Sequence, residues 1–80
     1  MAQEILSVIV TDRHTGTIIS VDSKSTSEQD IDRERKITQM EGLFISKCTS
    51  NGINELNASE AIDDGYMEIG ESEMVSLVWS

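Results

Sequence analysis

Two β-branched runs, residues 4–11 (Glu-Ile-Leu-Ser-Val-Ile-Val-Thr) and 17–22 (Thr-Ile-Ile-Ser-Val-Asp), stand only five residues apart. Between them lies Asp12-Arg13-His14-Thr15-Gly16, a polar link ending in a residue that adopts left-handed backbone without steric cost. Two runs of strand length joined this closely predict an antiparallel hairpin. In the first run Leu6, Val8 and Val10 share one face, while Ile5 and Ile9 share the other. Both faces are partly apolar, so this strand is expected in the interior of a sheet. In the second run Ile19 and Val21 share a face.

A helix is expected from about Ser27. Two overlapping capping boxes, Ser25-x-x-Glu28 and Thr26-x-x-Gln29, mark its start. Glu28, Asp30, Asp32 and Glu34 would then occupy its early turns, with Arg33, Arg35, Lys36 and Lys47 later, an order that suits the helix dipole. Ile37, Met40, Phe44 and Cys48 follow helical spacing, with Ile45 beside them, and form a stripe for the core. Asn51-Gly52 supplies the stop. Gly42 costs about 1 kcal/mol relative to alanine inside a helix, and a helix ending there would leave residues 43–48 as a strand. The stripe crosses Gly42 without losing phase, which favours one continuous helix.

Asn57-Ala58-Ser59-Glu60 is expected to cap one or two further helical turns, ending at Asp64-Gly65. Residues 66–69 read as a short strand and residues 70–73 as a turn. Residues 74–79 read as a final strand, with Val75, Leu77 and Trp79 on one face. The expected architecture is a single α+β domain over residues 1–80: a four-stranded, mostly antiparallel sheet with one main helix on one face. The order is β-β-α-β-β, with a short extra helix before the third strand. A core of this size supplies roughly 3–5 kcal/mol of net stability, which leaves little to offset a strained active site.

The chain carries 15 acidic and 6 basic side chains, for a net charge of −9, and the two signs are unevenly placed. Residues 1–52 hold eight acids and all six bases, whereas residues 53–80 hold seven acids and no base. Such a chain repels nucleic acid and anionic membranes and attracts basic protein surfaces. Acidity of this kind also serves plain solubility.

Catalytic chemistry has few footholds here. The single histidine, His14, falls in the hairpin turn, and the single cysteine, Cys48, falls on the apolar stripe, so neither has a partner for nucleophilic catalysis. One of each does not make a transition-metal site. Glu60, Asp63 and Asp64 lie close in sequence but lack the alternating ligand pattern of a calcium loop. The five glycines make no phosphate-binding motif. Arg33, Arg35 and Lys36 are interleaved with Asp32 and Glu34, which reads as a helix face with local ion pairs rather than a nucleic-acid site. No enzyme activity, cofactor or metal is expected.

A lone cysteine allows no internal disulfide, and Met1-Ala2-Gln3-Glu4 has no basic, apolar secretory start. A cytoplasmic setting, in a bacterial or phage-infected cell, is the expectation.

Two function classes remain. In size, acidity and lack of catalytic residues the chain resembles in kind phage-encoded inhibitors, such as uracil-glycosylase inhibitors, antirestriction proteins and anti-CRISPR proteins, though it shares no motif with them. That resemblance implies an acidic surface, with some character of a DNA mimic, that blocks a basic nucleic-acid-binding groove on a partner protein. Its candidate contacts are Glu60, Asp63, Asp64, Glu68, Glu71 and Glu73, with Glu28, Asp30, Asp32 and Glu34 as a second group. Strand alternation sets Glu68 opposite Met67 and Ile69, compatible with display. The other class is a structural or self-associating module, such as a small virion component or homodimer subunit. There the helix stripe or an open sheet edge carries the contact, for instance by pairing the final strand across a two-fold axis.

Overall fold

The computed structural model describes residues 3–80. Four strands and two helices follow in the order β1 (Glu4–Asp12), β2 (Ile18–Thr26), α1 (Arg33–Thr49), α2 (Glu55–Asp64), β3 (Tyr66–Ile69) and β4 (Glu73–Trp79). All strand pairs are antiparallel, in the spatial order β2-β1-β4-β3. The expected α+β architecture is present, and the short extra helix is a full ten-residue element.

The first hairpin forms as its chemistry dictates. Asp12 Oδ1 accepts the backbone N–H groups of His14 (2.8 Å) and Thr15 (3.2 Å), and Gly16 takes a left-handed φ of 74°. β1 is interior, flanked by β2 and β4. Leu6, Val8 and Val10 are buried under the helices with Val75 from β4 and Ile69 from β3. From α1, Met40, Phe44 and Cys48 close this core, and Ile37 and Ile45 lean against it. The helix runs unbroken through Gly42, because the stripe on either side gains its burial only if the phase is kept.

Two expectations at the helix start are overturned. Ser25 and Thr26 do not cap α1; they belong to β2, which is longer than its apolar run because Glu4 and Ile5 offer pairing partners as far as Thr26 and Ser25. α1 begins six residues beyond Ser27, at Arg33, and Asp32 caps it without a side-chain hydrogen bond. Consequently Glu28, Asp30 and Asp32 lie in the connection rather than in early turns, and Arg33, Arg35 and Lys36 sit in the first turn, against the dipole. Ion pairs compensate: Arg33 to Glu4 (2.9 Å), Arg35 to Asp32 (3.0 Å) and Lys36 to Asp30 (2.6 Å).

α2 is capped by Asn54, whose Oδ1 accepts the Leu56 N–H at 2.8 Å, so Asn57 lies inside the helix rather than capping it. Gly65, with φ 86°, ends α2 where expected and turns the chain directly into β3. β4 occupies the interior of the sheet beside β1 and β3, which excludes it as the strand that pairs across a two-fold axis. The apolar stripe of α1 is likewise consumed by the core.

Candidate interaction surface

Small residues place α2. Ala58 and Ala61 are buried, so the helix lies close on α1 and β3 and turns its other side outward. Glu60, Asp63 and Asp64 are exposed on that outer side at i, i+3 and i+4. Leu56, one turn before Glu60, is 66 % exposed and shares their face. Leu56 was not among the residues expected from sequence; its signal was an apolar residue out of phase with Ala58 and Ala61.

The hairpin acids form a separate set. Glu68 points away from Met67 and Ile69, as alternation requires, and lies on the sheet face opposite the helices. Its carboxylate holds Arg13 at 3.1 Å. The same guanidinium donates to the Glu71 carbonyl oxygen at 2.6 Å, and the Arg13 N–H donates to the Ser72 carbonyl, so Arg13 clasps the two hairpin turns together. The Glu71 side chain is exposed in the turn, and Glu73 is half-buried at the start of β4. Four residues of strand, about 13 Å, separate this turn from the end of α2. Glu60, Asp63 and Asp64 are therefore brought together, whereas Glu68, Glu71 and Glu73 belong to another rim.

In the second group, Asp30 accepts from Lys36 Nζ and, at 3.2 Å, from the Thr26 hydroxyl. The Lys36 hydrogen bond, followed by the Asp32 N–H (2.8 Å), holds the Asp30 carboxyl below its ordinary range. Asp32 holds Arg35, and Glu28 and Glu34 are exposed. Half of this group is thus neutralised within the fold.

Bases are nearly all engaged. Arg13, Arg33, Arg35, Lys36 and Lys47 each make an ion pair, the last to Asp22 at 3.7 Å, and among the described residues Lys24 is the base that makes none. The outer face of α2 carries three carboxylates with no ion-pair partner among the described residues. Those carboxylates do not converge on a common point: no three His, Cys, Asp or Glu side chains among the described residues are grouped to hold a metal ion. His14 is exposed in its turn, and Cys48 is buried with its thiol pushed up by desolvation. Among the described residues no helix is long and apolar enough to cross a membrane.

The second face of the sheet is a feature that sequence reasoning missed. Both helices pack on one side, and Ile5 (42 % exposed), Val21 (51 %), Tyr66 (52 %) and Val78 (39 %) stand uncovered on the other.

The chain matches no known protein-family model, no curated protein and no solved structure.

Proposed function

We propose that this is a non-catalytic acidic interaction protein that uses the outer face of α2 to occupy a basic surface on a partner protein. The observation that carries the reading is the arrangement of Leu56, Glu60, Asp63 and Asp64 on one exposed helix face while five of the six bases are held in internal ion pairs. An apolar anchor beside uncompensated carboxylates suits a cationic groove, because the leucine contributes desolvated contact and the carboxylates steer association. A nucleic-acid-binding effector presents such a groove, and an inhibitor of the antirestriction or anti-CRISPR kind in a bacterial or phage-infected cytoplasm would work this way. Glu28, Glu34, Glu71 and Glu73 extend the negative field without sharing the α2 face. Asp30, Asp32 and Glu68, each committed to a base, contribute least.

The test is affinity capture from bacterial lysate at about 50 mM and about 300 mM salt, which bracket the range where exposed charges become screened. A nucleic-acid enzyme retained at low salt, lost at high salt, and not retained by a Glu60→Lys/Asp63→Lys variant supports the reading. Retention of the same protein by that variant sinks it.

The alternative, a self-associating or structural module such as a virion component, draws support from the uncovered apolar sheet face rather than from the acids.

A further inference from the structure

We propose that the free edge of β2 pairs with β2 of a second copy of this chain, antiparallel across a two-fold axis at Ser23, so that the two sheets run on as one. This goes beyond the acidic-surface reading and does not rest on it, because α2 packs toward β3 at the other edge of the sheet.

The backbone of β2 is set for such a pairing. Ile5 exchanges both backbone hydrogen bonds with Ser80, so its N–H and C=O groups face β4 and those of Leu6 face β2. Leu6 stands opposite Lys24. Alternation therefore turns the backbone groups of Ser20, Asp22 and Lys24 inward and those of Val21, Ser23 and Ser25 outward. Lys36 Nζ meets the Ser25 carbonyl at 3.0 Å on that outer side, as this alternation requires. A carbonyl has two lone pairs, so Ser25 can also accept from an incoming strand. The outward groups of Val21 and Ser23 find no partner among the described residues.

Charge makes a second copy the occupant. β2 carries one acid and one base, Asp22 and Lys24, both on the helix side. Lys24 makes no ion pair among the described residues, and Asp22 meets Lys47 only at 3.7 Å. With the axis at Ser23, Asp22 of each copy stands opposite Lys24 of the other. These are non-hydrogen-bonded positions, where facing side chains come closest. Moving the axis one residue either way centres it on Asp22 or on Lys24 and opposes like charges. Moving it to Val21 leaves Lys24 opposite Ile18 and runs the pairing into the bulge. In the favoured register Ser23 bonds its own copy, and Val21 bonds Ser25 on either side of it.

The net charge of −9 is kept away from this edge. All seven acids of residues 53–80 lie in α2, β3, β4 or the turn before β4, and the order β2-β1-β4-β3 sets β3 farthest from β2. At ~4.8 Å per strand the two β3 strands of the joined sheet stand about 34 Å apart, several ~8 Å Debye lengths at physiological salt. One strand edge is a small interface, of the transient class below about 1,200 Å². The dimer is accordingly weak and reversible, held by main-chain bonds and the Asp22–Lys24 pairs rather than by area.

Sedimentation equilibrium of the full chain, from about 10 μM to about 1 mM at about 150 mM salt, reads the prediction. The expected result is a reversible monomer–dimer equilibrium. Lys24→Asp sets an acid against Asp22 of the copy and should raise the dissociation constant about ten-fold or more. The double variant Asp22→Lys/Lys24→Asp exchanges the signs and should return it to within about three-fold of the wild type. Ser23→Pro removes an N–H that faces solvent in the monomer, so it should keep the circular-dichroism spectrum of a folded chain yet sediment as monomer throughout. A wild type that stays monomeric across the whole range overturns the proposal. So does a Lys24→Asp or folded Ser23→Pro protein that dimerises unchanged, or a folded double variant no tighter than Lys24→Asp, since each would put the contact elsewhere.

Discussion

The guanidinium of Arg33, the first residue of α1, lies 5.2 Å from the ring centroid of Trp79, the last residue of β4. Its Nη2 also lies 2.9 Å from Glu4 Oε2 at the start of β1. One side chain thus joins the helix start to both interior strands, its charge lying over a half-exposed indole. This contact accounts for a basic residue placed where the helix dipole disfavours one.

Arg33→Ala should therefore lower unfolding stability by about 1–2 kcal/mol, the sum of a partly exposed ion pair and a cation–π contact. Arg33→Lys should recover only part of it, because an ammonium is more strongly hydrated and gives up more solvation to reach both the indole and Glu4. Urea unfolding followed by Trp79 fluorescence measures both, and equal stability of the lysine variant and the wild type would contradict a role special to the guanidinium.

Asp30 makes stability depend on pH in a definite direction. Its folded-state carboxyl titrates below the ordinary value of 3.8, chiefly through the Lys36 hydrogen bond. The stabilisation is present above 3.8 and is lost as the pH falls through the lowered folded value. Asp30→Asn should be less stable than wild type near neutrality, and the two should converge in acid. Urea midpoints taken from neutral pH into acid would show this, and a constant gap would contradict it.

Gly42→Ala should stabilise the protein by about 0.5–1 kcal/mol. Gly42 is exposed within α1, and no side chain or neighbouring element lies within 4 Å of where a Cβ would sit. Thermal unfolding would record a higher midpoint, and a lower one would mean that the helix bends or opens at this position.

Phe44 is fully buried at the centre of the core, beside Cys48. Phe44→Ala should cost about 3–5 kcal/mol, comparable with the roughly 3–5 kcal/mol a domain of this size holds in reserve. The variant should be largely unfolded at room temperature, and its Cys48 should react at once with a thiol reagent. In the wild type the buried thiol, kept protonated by its surroundings, should react only after denaturant is added.

Local chemistry made much of this fold legible. The Asp12–Gly16 turn, the stripe through Gly42 and the Gly65 stop all depend on contacts within a few residues, and each formed as read. The misplaced helix start shows where that legibility ends. Ser25 and Thr26 carry the side chains of a helix cap, yet pairing with Glu4 and Ile5 holds them in a strand, and that pairing spans more than twenty residues of chain. The acidic surface divides in the same way. Glu60, Asp63 and Asp64 share a face by helical spacing alone, but nothing near Glu68 in sequence announces Arg13, fifty-five positions away. Alternation put Ile19 and Val21 on one face, while the hairpin register sets Val21 beside Ile9, away from the helices, and passes over Ile19 at the bulge after Val10.

The central place of β1 has a consequence for how the protein is made. β1 pairs on one side with β2, which follows it directly, and on the other with β4, more than sixty residues away, and Ile5 and Ser80 exchange both backbone hydrogen bonds. While the polypeptide is being synthesised, Leu6, Val8 and Val10 leave the ribosome more than sixty residues ahead of Val75, which completes their burial. Until then the nascent chain carries a hairpin with one raw edge and an apolar face open to any other chain nearby, the state in which long-range β pairing is most exposed to aggregation.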